Sequence, residues 1–254
     1  RGKNRALNAG LSHLAGDLVV FTDDDVTPRA DWLVRMRVAA DEHPQFDVFG
    51  GRITPVWPSA PPDWILRLVP LGVAYAVSPP DLGDGPVSPL MVWGPNMALR
   101  RRVVDEGHVF DEAIGPRAGQ YRMGSETELT TRLEAEGRGS WYCADSVVGH
   151  LVRPEQLELG WLLKRAFRFG RSQHRDPVAP GPKAARLGGE WRLTLSRLVA
   201  EYRRLIRARI AGDWDEAFRA RWEMQILLGT IVESGRGFRS IGRPRRPGPA
   251  GGQA

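Results

Sequence analysis

The chain reads as an α/β protein: a mostly parallel central sheet flanked by helices, followed by a C-terminal helical extension. Three observations predict this. The apolar run Leu18-Val19-Val20-Phe21 breaks off into Thr22 and three consecutive carboxylates, Asp23, Asp24 and Asp25; such a run reads as a strand buried on both faces of a parallel sheet. Further short apolar runs alternate with segments of helical periodicity as far as Val148. Beyond Pro154 the apolar residues recur only every three or four positions, in longer segments.

Taken in order, Leu7, Leu11 and Leu14 lie at helical spacing, with Gly16 and Asp17 ending that helix before the first strand. Thr27 and Pro28 suit an N-cap and a first helical position. The helix they open carries Trp32, Leu33, Met36, Ala39 and Ala40 on one face and ends near His43-Pro44. Val48 and Phe49 predict a strand, and Gly50-Gly51 permits a tight backbone before Ile53. Pro55, Pro58, Pro61 and Pro62 stiffen the segment around Trp57, just before Trp64. Pro70 to Pro89 reads as a long loop. Leu90-Met91-Val92-Trp93 predicts another buried strand, followed by Gly94-Pro95-Asn96 and a helix from about Arg100. Gly107 to Gly124 reads as a loop anchored by Phe110 and Ile114. Ser125 opens a helix with Leu129 and Leu133 inward, closed by Gly137, and Trp141 to Val148 is a late strand with His150 after it.

In the extension, Leu159, Leu162, Leu163, Ala166 and Phe167 fit one helix. A Pro-rich link from Asp176 to Pro182 leads to a second, with Trp191, Leu195, Leu198, Tyr202 and Leu205. A third, from Asp213, carries Trp214, Phe218, Trp222 and Ile226. At this spacing Trp191, Trp214 and Trp222 are expected to be packing residues. Gly235 to Ala254 is rich in Arg, Gly and Pro and is expected to be disordered. The expected division is a core over 1–154, a helical region over 155–234 and a tail over 235–254.

Composition narrows the classes. With 254 residues, 42% of them hydrophobic, the chain can bury a full core. A single cysteine, Cys143, excludes an intrachain disulfide framework and suits a reducing compartment. Arg1 to Leu18 lacks the apolar core of a secretory signal, and no window reaches the roughly 18 uninterrupted apolar residues of a spanning helix. The net charge of +6 is carried almost wholly by arginine, much of it after residue 160. It favours an anionic lipid surface, a phosphorylated substrate or nucleic acid. The arginine-rich tail lacks a recognised nucleic-acid module and interleaved aromatics, so no nucleic-acid partner is expected.

The acidic triplet carries the chemistry. Three adjacent negative charges repel unless a cation lies among them, and a hard divalent cation with oxygen ligands is the simplest, its shell completed by substrate phosphates. The structural alternative is an acidic turn capping the next helix, for which one carboxylate suffices.

With these residues assembled, the chain resembles a family 2 glycosyltransferase of the GT-A fold over roughly residues 1 to 172. Gly2-Lys3-Asn4-Arg5-Ala6-Leu7-Asn8-Ala9-Gly10 resembles the segment before the metal motif, and Phe21-Thr22-Asp23-Asp24-Asp25 resembles the DxD motif on its strand. Trp93 to Arg101 resembles the acceptor-side G-x-N-x-x-x-R segment, continued by Phe110-Asp111-Glu112 and Gly115. Gly124-Ser125-Glu126-Thr127-Glu128-Leu129, with Arg132-Leu133, resembles the catalytic E-D-x-E-L-x-x-R-L helix start, with Glu126 where the family has Asp. In the family, nucleotide-binding strands and helices precede the Gly2 segment, so the chain is read as a fragment that lacks them.

The resemblance implies an inverting, metal-dependent transferase using a nucleotide-diphospho-sugar donor and Mn²⁺ or Mg²⁺. The acceptor is a hydroxyl-bearing polysaccharide, lipid-linked sugar or small molecule. It is expected to be cytoplasmic, with peripheral contact at the inner membrane face as an open alternative. Asp23, Asp25 and His150 are the expected metal ligands, with Asp25 first and Asp24 and Asp23 reaching ribose or metal-bound water. Lys3 and Arg5 are expected at the diphosphate and Asn96 at donor or acceptor sugar. Glu126 is the expected general base. Glu128 is its rival, although Ser125 and Glu128 also fit a capping box. Arg165, Arg168 and Arg171 share a helix face and are expected either to close over phosphate or to meet lipid. Trp57, Trp64 and Trp93 are weaker candidates for sugar contact. The alternative reading is an inactive remnant of the fold that binds a membrane or a protein partner.

Overall fold

Val48 and Phe49 are neighbours in a central strand, so their side chains leave on opposite faces, yet both are fully buried. A strand buried on both sides requires a layer against each face. The computed structural model describes residues 2–117, 120–173 and 183–241, and the chain divides into two compact units, 1–168 and 169–254.

The first unit runs through α1 (Lys3–Leu11), β1 (Leu18–Phe21), β2 (Val26–Pro28), α2 (Trp32–Glu42), β3 (Val48–Val56), α3 (Asp63–Leu68) and α4 (Leu71–Tyr75). It continues with β4 (Gly85–Val87), β5 (Met97–Arg100), α5 (Arg101–Asp105), β6 (Gly115–Arg117), β7 (Gln120–Arg122), α6 (Ser125–Ala135) and β8 (Ser140–Leu151). Most of α7 (Leu159–Gln173) follows. The main sheet has the order β1-β5-β3-β8-β2, with β4 also on β8, while β6 and β7 form a separate hairpin.

One face of the sheet packs Val48, Met97 and Leu99 against Val103 of α5, Phe110, and Leu129 and Leu133 of α6. The other packs Phe49 and Ala98 against Met36 and Ala40 of α2. The α/β expectation holds, but the sheet is mixed rather than mostly parallel. Among its described pairings only β3–β8 is parallel, and β1–β5, β3–β5, β2–β8 and β4–β8 are antiparallel. An apolar run reports burial and says nothing of direction. β1 itself ends the strand order, and only Val19 in it is buried.

Prolines account for two shifted elements. The strand expected at Leu90–Trp93 is displaced to Met97–Arg100, and Pro89–Met91 and Gly94–Asn96 are 3-10 turns. Pro89 and Pro95 lack the N–H a ladder needs. Thr27 and Pro28 do not start a helix. They lie in the edge strand β2, opposite Gly149 and Val148, and α2 begins at Trp32 with Asp31 in the N-cap position. The loops expected at Pro70–Pro89 and Gly107–Gly124 contain α4 and β4, and the β6–β7 hairpin.

The β3–β8 pairing breaks register once: Gly51 faces Cys143, but the next residue, Arg52, faces Val147. Residues 144–146 therefore bulge out of β8, and their backbone groups need partners. Asn96 supplies them. Its Nδ2 donates to the carbonyls of Ser146 (2.8 Å) and Arg52 (3.0 Å), while its Oδ1 accepts from Trp32 Nε1 at 2.7 Å. Arg52 Nε donates to the Ala144 carbonyl at 3.1 Å, and Asp84 accepts from the Ala144 N–H at 3.0 Å. Gly51 makes this knot possible, because a Cβ there would lie 2.2 Å from Asn96 Nδ2.

In the second unit, α8 (Lys183–Ala211) and α9 (Trp214–Ile241) are joined at Gly212, which takes the left-handed conformation, φ 70°. The end of α7 meets α9 so closely at Gly170 that a Cβ would strike the Ile226 carbonyl. Beside it, Arg171 pairs with Glu233 at 2.8 Å. Phe218 and Trp222 are buried as expected, whereas Trp191 and Trp214 are about half exposed. The Pro-rich link expected at 176–182 and the tail at 242–254 lie outside the described residues; 235–241 continues α9.

Because Asn96 is wholly buried and all its polar atoms are engaged, Asn96→Ala should cost about 3 kcal/mol, several buried partners being orphaned at once. Urea unfolding should show a lower midpoint with an unchanged slope.

Candidate active site

Two charged clusters assemble the residues that the sequence singled out. The first lies where β1 runs out. Lys3, in the first turn of α1, places its Nζ 3.2 Å from Asp23 Oδ1 and 3.2 Å from Glu126 Oε1. One ammonium thus bridges the strand-end acid and the expected base, which are 103 positions apart (126 minus 23). Glu126 sits near the start of α6, where unpaired N–H groups favour an anion. Gly94 forms a wall beside it: a Cβ on Gly94 would stand 2.8 Å from Glu126 Oε1. The 3-10 turn carrying Gly94 is tied to the acidic segment by Thr22 Oγ1, which donates to the Pro95 carbonyl at 3.3 Å.

The capping box expected of Ser125 and Glu128 does not form. Gly124 is the N-cap, in the left-handed conformation at φ 92° and with no side chain to cap, so Ser125 is already helical and buried. Glu128 instead pairs with Arg132 one turn on, at 3.0 Å. Of the two glutamates, Glu126 faces the Lys3 ammonium and Glu128 is engaged along its own helix.

The second cluster surrounds Asp25. Opposite Val26 in the β2–β8 ladder stands His150, within β8 rather than after it. Its Nε2 lies 3.3 Å from Asp25 Oδ1, and its Nδ1 lies 2.6 Å from the Tyr75 carbonyl. A carbonyl only accepts, so Nδ1 carries the hydrogen. In the neutral ring Nε2 is then a lone pair facing a carboxylate. Two electron-rich atoms at that distance call for a cation between them, either a proton on Nε2 or a metal ion. Arg153 Nη2 reaches the other carboxylate oxygen of Asp25 at 3.1 Å, and the Leu151 N–H donates to the Asp25 carbonyl at 2.8 Å. Behind His150, Tyr75 is fixed by stacking on Trp161 and an edge contact with Trp57. Trp57 therefore serves as packing here.

This arrangement bears on each expected site residue. Asp25 and His150 come together, and a carboxylate beside an imidazole nitrogen would suit Mn²⁺ better than the more strictly oxygen-preferring Mg²⁺. Asp23 turns to Lys3 instead. Among the described residues no group of three or more His, Cys, Asp or Glu side chains forms a metal cluster. Asp24 is exposed at the turn between β1 and β2. Arg5 is exposed on α1, and two positions from Lys3 it points away from that residue's cluster. Asn96, expected at a sugar, is corrected: it is fully buried and its amide is used up by the bulge in β8. Arg165 donates to the Val73 carbonyl at 3.0 Å and Arg171 is the buried partner of Glu233, so the expected phosphate- or lipid-facing arginine row is structural at both ends. Sequence reasoning missed Arg153, Tyr75 and Gly94 as site residues. Gly94 alone carried a signal, within the Gly94-Pro95-Asn96 segment.

Residues 1–106 match the family model described as glycosyl transferase family 2. Over 176 residues the chain is 24% identical to the glucosyl-dolichyl phosphate glucuronosyltransferase of Haloferax volcanii, covering 68% of this chain and 55% of that protein. Over 201 residues it is 26% identical to the succinoglycan biosynthesis protein ExoM of Rhizobium meliloti, covering 75% and 57%. The chain thus spans about half the length of these curated relatives. Among solved structures, a mannosyltransferase of Pyrobaculum calidifontis in complex with GDP-Man and Mn²⁺ matches with a TM-score of 0.50 at 23% identity, over 92% of this chain and 66% of that one. The fold is GT-A, and over residues 1–106 the chain is similar to glycosyl transferase family 2.

Burial of Lys3 alone would lower its pKa, but attraction to Glu126 and Asp23 outweighs that and holds it well above the ordinary value of 10.5. A raised pKa stabilises the fold fully below the unfolded value, and this stabilisation is lost as pH rises through the folded one. Lys3→Met should therefore lower the melting temperature at pH 7 and equally at pH 9. The difference should shrink only above pH 10.5, which thermal scans across pH would reveal.

Proposed function

We propose that the chain transfers a glycosyl group from a nucleotide-diphospho-sugar to a hydroxyl acceptor by direct displacement. The observation that carries this reading is the Lys3 bridge, which holds the strand-end acid Asp23 and the base Glu126 at one ammonium, each at 3.2 Å. Glu126 accepts the acceptor's hydroxyl proton as that oxygen bonds to the anomeric carbon. The bond from that carbon to the phosphate oxygen breaks, and its electron pair leaves with the nucleoside diphosphate. Inversion follows from a single displacement. Lys3 holds the Glu126 carboxylate in place, and Gly94 leaves the room that it occupies.

Asp25 and His150 would hold a divalent cation, which supplies charge neutralisation at the leaving diphosphate. Asp24 and Asp23 lie next along the chain for contact with ribose, and Lys3 also stands within reach of an incoming phosphate. That a solved neighbour binds GDP-Man and Mn²⁺ supports this class of donor and metal. The named relatives, one for a dolichyl phosphate-linked sugar and one for succinoglycan, favour a lipid-linked or polysaccharide acceptor. The buried free thiol of Cys143 suits a reducing compartment.

Glu126→Gln should lower kcat by about 100- to 10,000-fold while calorimetry finds nucleoside diphosphate binding unchanged. Asp25→Ala should instead abolish the metal dependence of that binding. Wild-type turnover in Glu126→Gln would remove Glu126 from the reaction.

A further inference from the structure

Helix α8 has two apolar faces, and among the described residues only one of them is covered. Leu205 and Ala208 are buried on the side that packs with α9. On the other side Trp191, Leu195, Val199, Tyr202, Ile206 and Ile210 follow at steps of 4, 4, 3, 4 and 4 residues, a continuous helical stripe. All six are exposed, from 37% at Ile206 to 82% at Ile210. Over these 19 residue steps the stripe runs roughly 28 Å at 1.5 Å per residue. Monomers rarely leave a contiguous apolar band of this extent to water.

The charge beside the stripe says what covers it. Between residues 191 and 211 there are six arginines, at 192, 197, 203, 204, 207 and 209, and one acid, Glu201. Glu201 lies on the α9 side and pairs with Arg204. Arg192, Arg203 and Arg207 are exposed and flank the stripe within about one helical step. An apolar stripe bearing Trp and Tyr, edged by arginine and free of acid, matches the interfacial zone of an anionic bilayer. There the aromatic rings sit at headgroup depth and the guanidinium groups meet phosphate. Among the described residues no helix is long and apolar enough to cross a membrane, so α8 would lie in the plane of the surface.

We infer that this face of α8 docks the protein on an anionic membrane. The surface belongs to the second unit and does not rest on the transfer reading, and its test uses no sugar donor. The full chain is mixed with vesicles of phosphatidylcholine alone, or of phosphatidylcholine with roughly one third phosphatidylglycerol, and the bound fraction is read by flotation at low and high salt. Binding should require phosphatidylglycerol and weaken in salt. Val199→Asp with Ile206→Asp should reduce it about tenfold or more, and so should Arg203→Ala with Arg207→Ala. Circular dichroism should stay unchanged. If the aspartate pair unfolds the protein, the surface arginine pair decides. Equal binding by wild type and arginine variant would overturn the inference. So would absence of vesicle binding together with a dimer, seen by light scattering, that the aspartate pair dissociates; the stripe would then join two copies of this chain.

Discussion

The three-residue bulge in β8 is the constraint on which the rest of the first unit depends. Up to Cys143 the strand keeps step with β3, and from Val147 onward it does so again, with residues 144–146 set aside. The side-chain alternation of a strand has period two, so an odd insertion reverses which residues face which side of the sheet. The second half of β8 therefore presents His150 at the place in the ladder where β2 leaves the acidic turn. Asn96, Arg52 and Asp84 hold the bulge by satisfying its backbone, and Gly51 clears space for Asn96. A residue that looks like a ligand contact in the sequence is thus what keeps a different residue, His150, in position.

Charge balance organises the site beyond this frame. Asp23 and Glu126 would repel each other across the cleft without Lys3, and Asp25 would face a histidine lone pair without a proton or a metal ion. Arg153 moderates the second cluster from the solvent side, pairing with Asp25 through a long, exposed side chain. The site is thus built of anions held by cations, some of which a diphosphate with its metal could displace or join.

Much of this was legible in the sequence where local pattern and final geometry coincide. The acids at the end of Leu18–Phe21 were legible because an apolar run and its abrupt end are local, and so was the helix that Ser125 opens with Leu129 and Leu133 inward, whereas the role expected of Glu126 rests on the family resemblance. What failed depended on contacts distant in sequence. Strand direction failed because β5 inserts between β1 and β3, which no apolar run encodes. The capping box at Ser125 failed because Gly124, one position earlier, took the left-handed turn. Asn96 was misread since its partners lie 44 and 50 residues away. Trp191 and Tyr202 sit at core spacing yet face outward: periodicity locates a face without naming what covers it.

The proposed transfer turns on a divalent cation held between Asp25 and His150. Pulsed electron paramagnetic resonance on the protein with Mn²⁺ and a nucleoside diphosphate would test it directly, comparing wild type with His150→Ala. A nitrogen coupling from the imidazole, present in wild type and lost in the variant while Mn²⁺ stays bound, is the predicted result. Bound Mn²⁺ with no nitrogen coupling in wild type, or a coupling that survives the substitution, would contradict it.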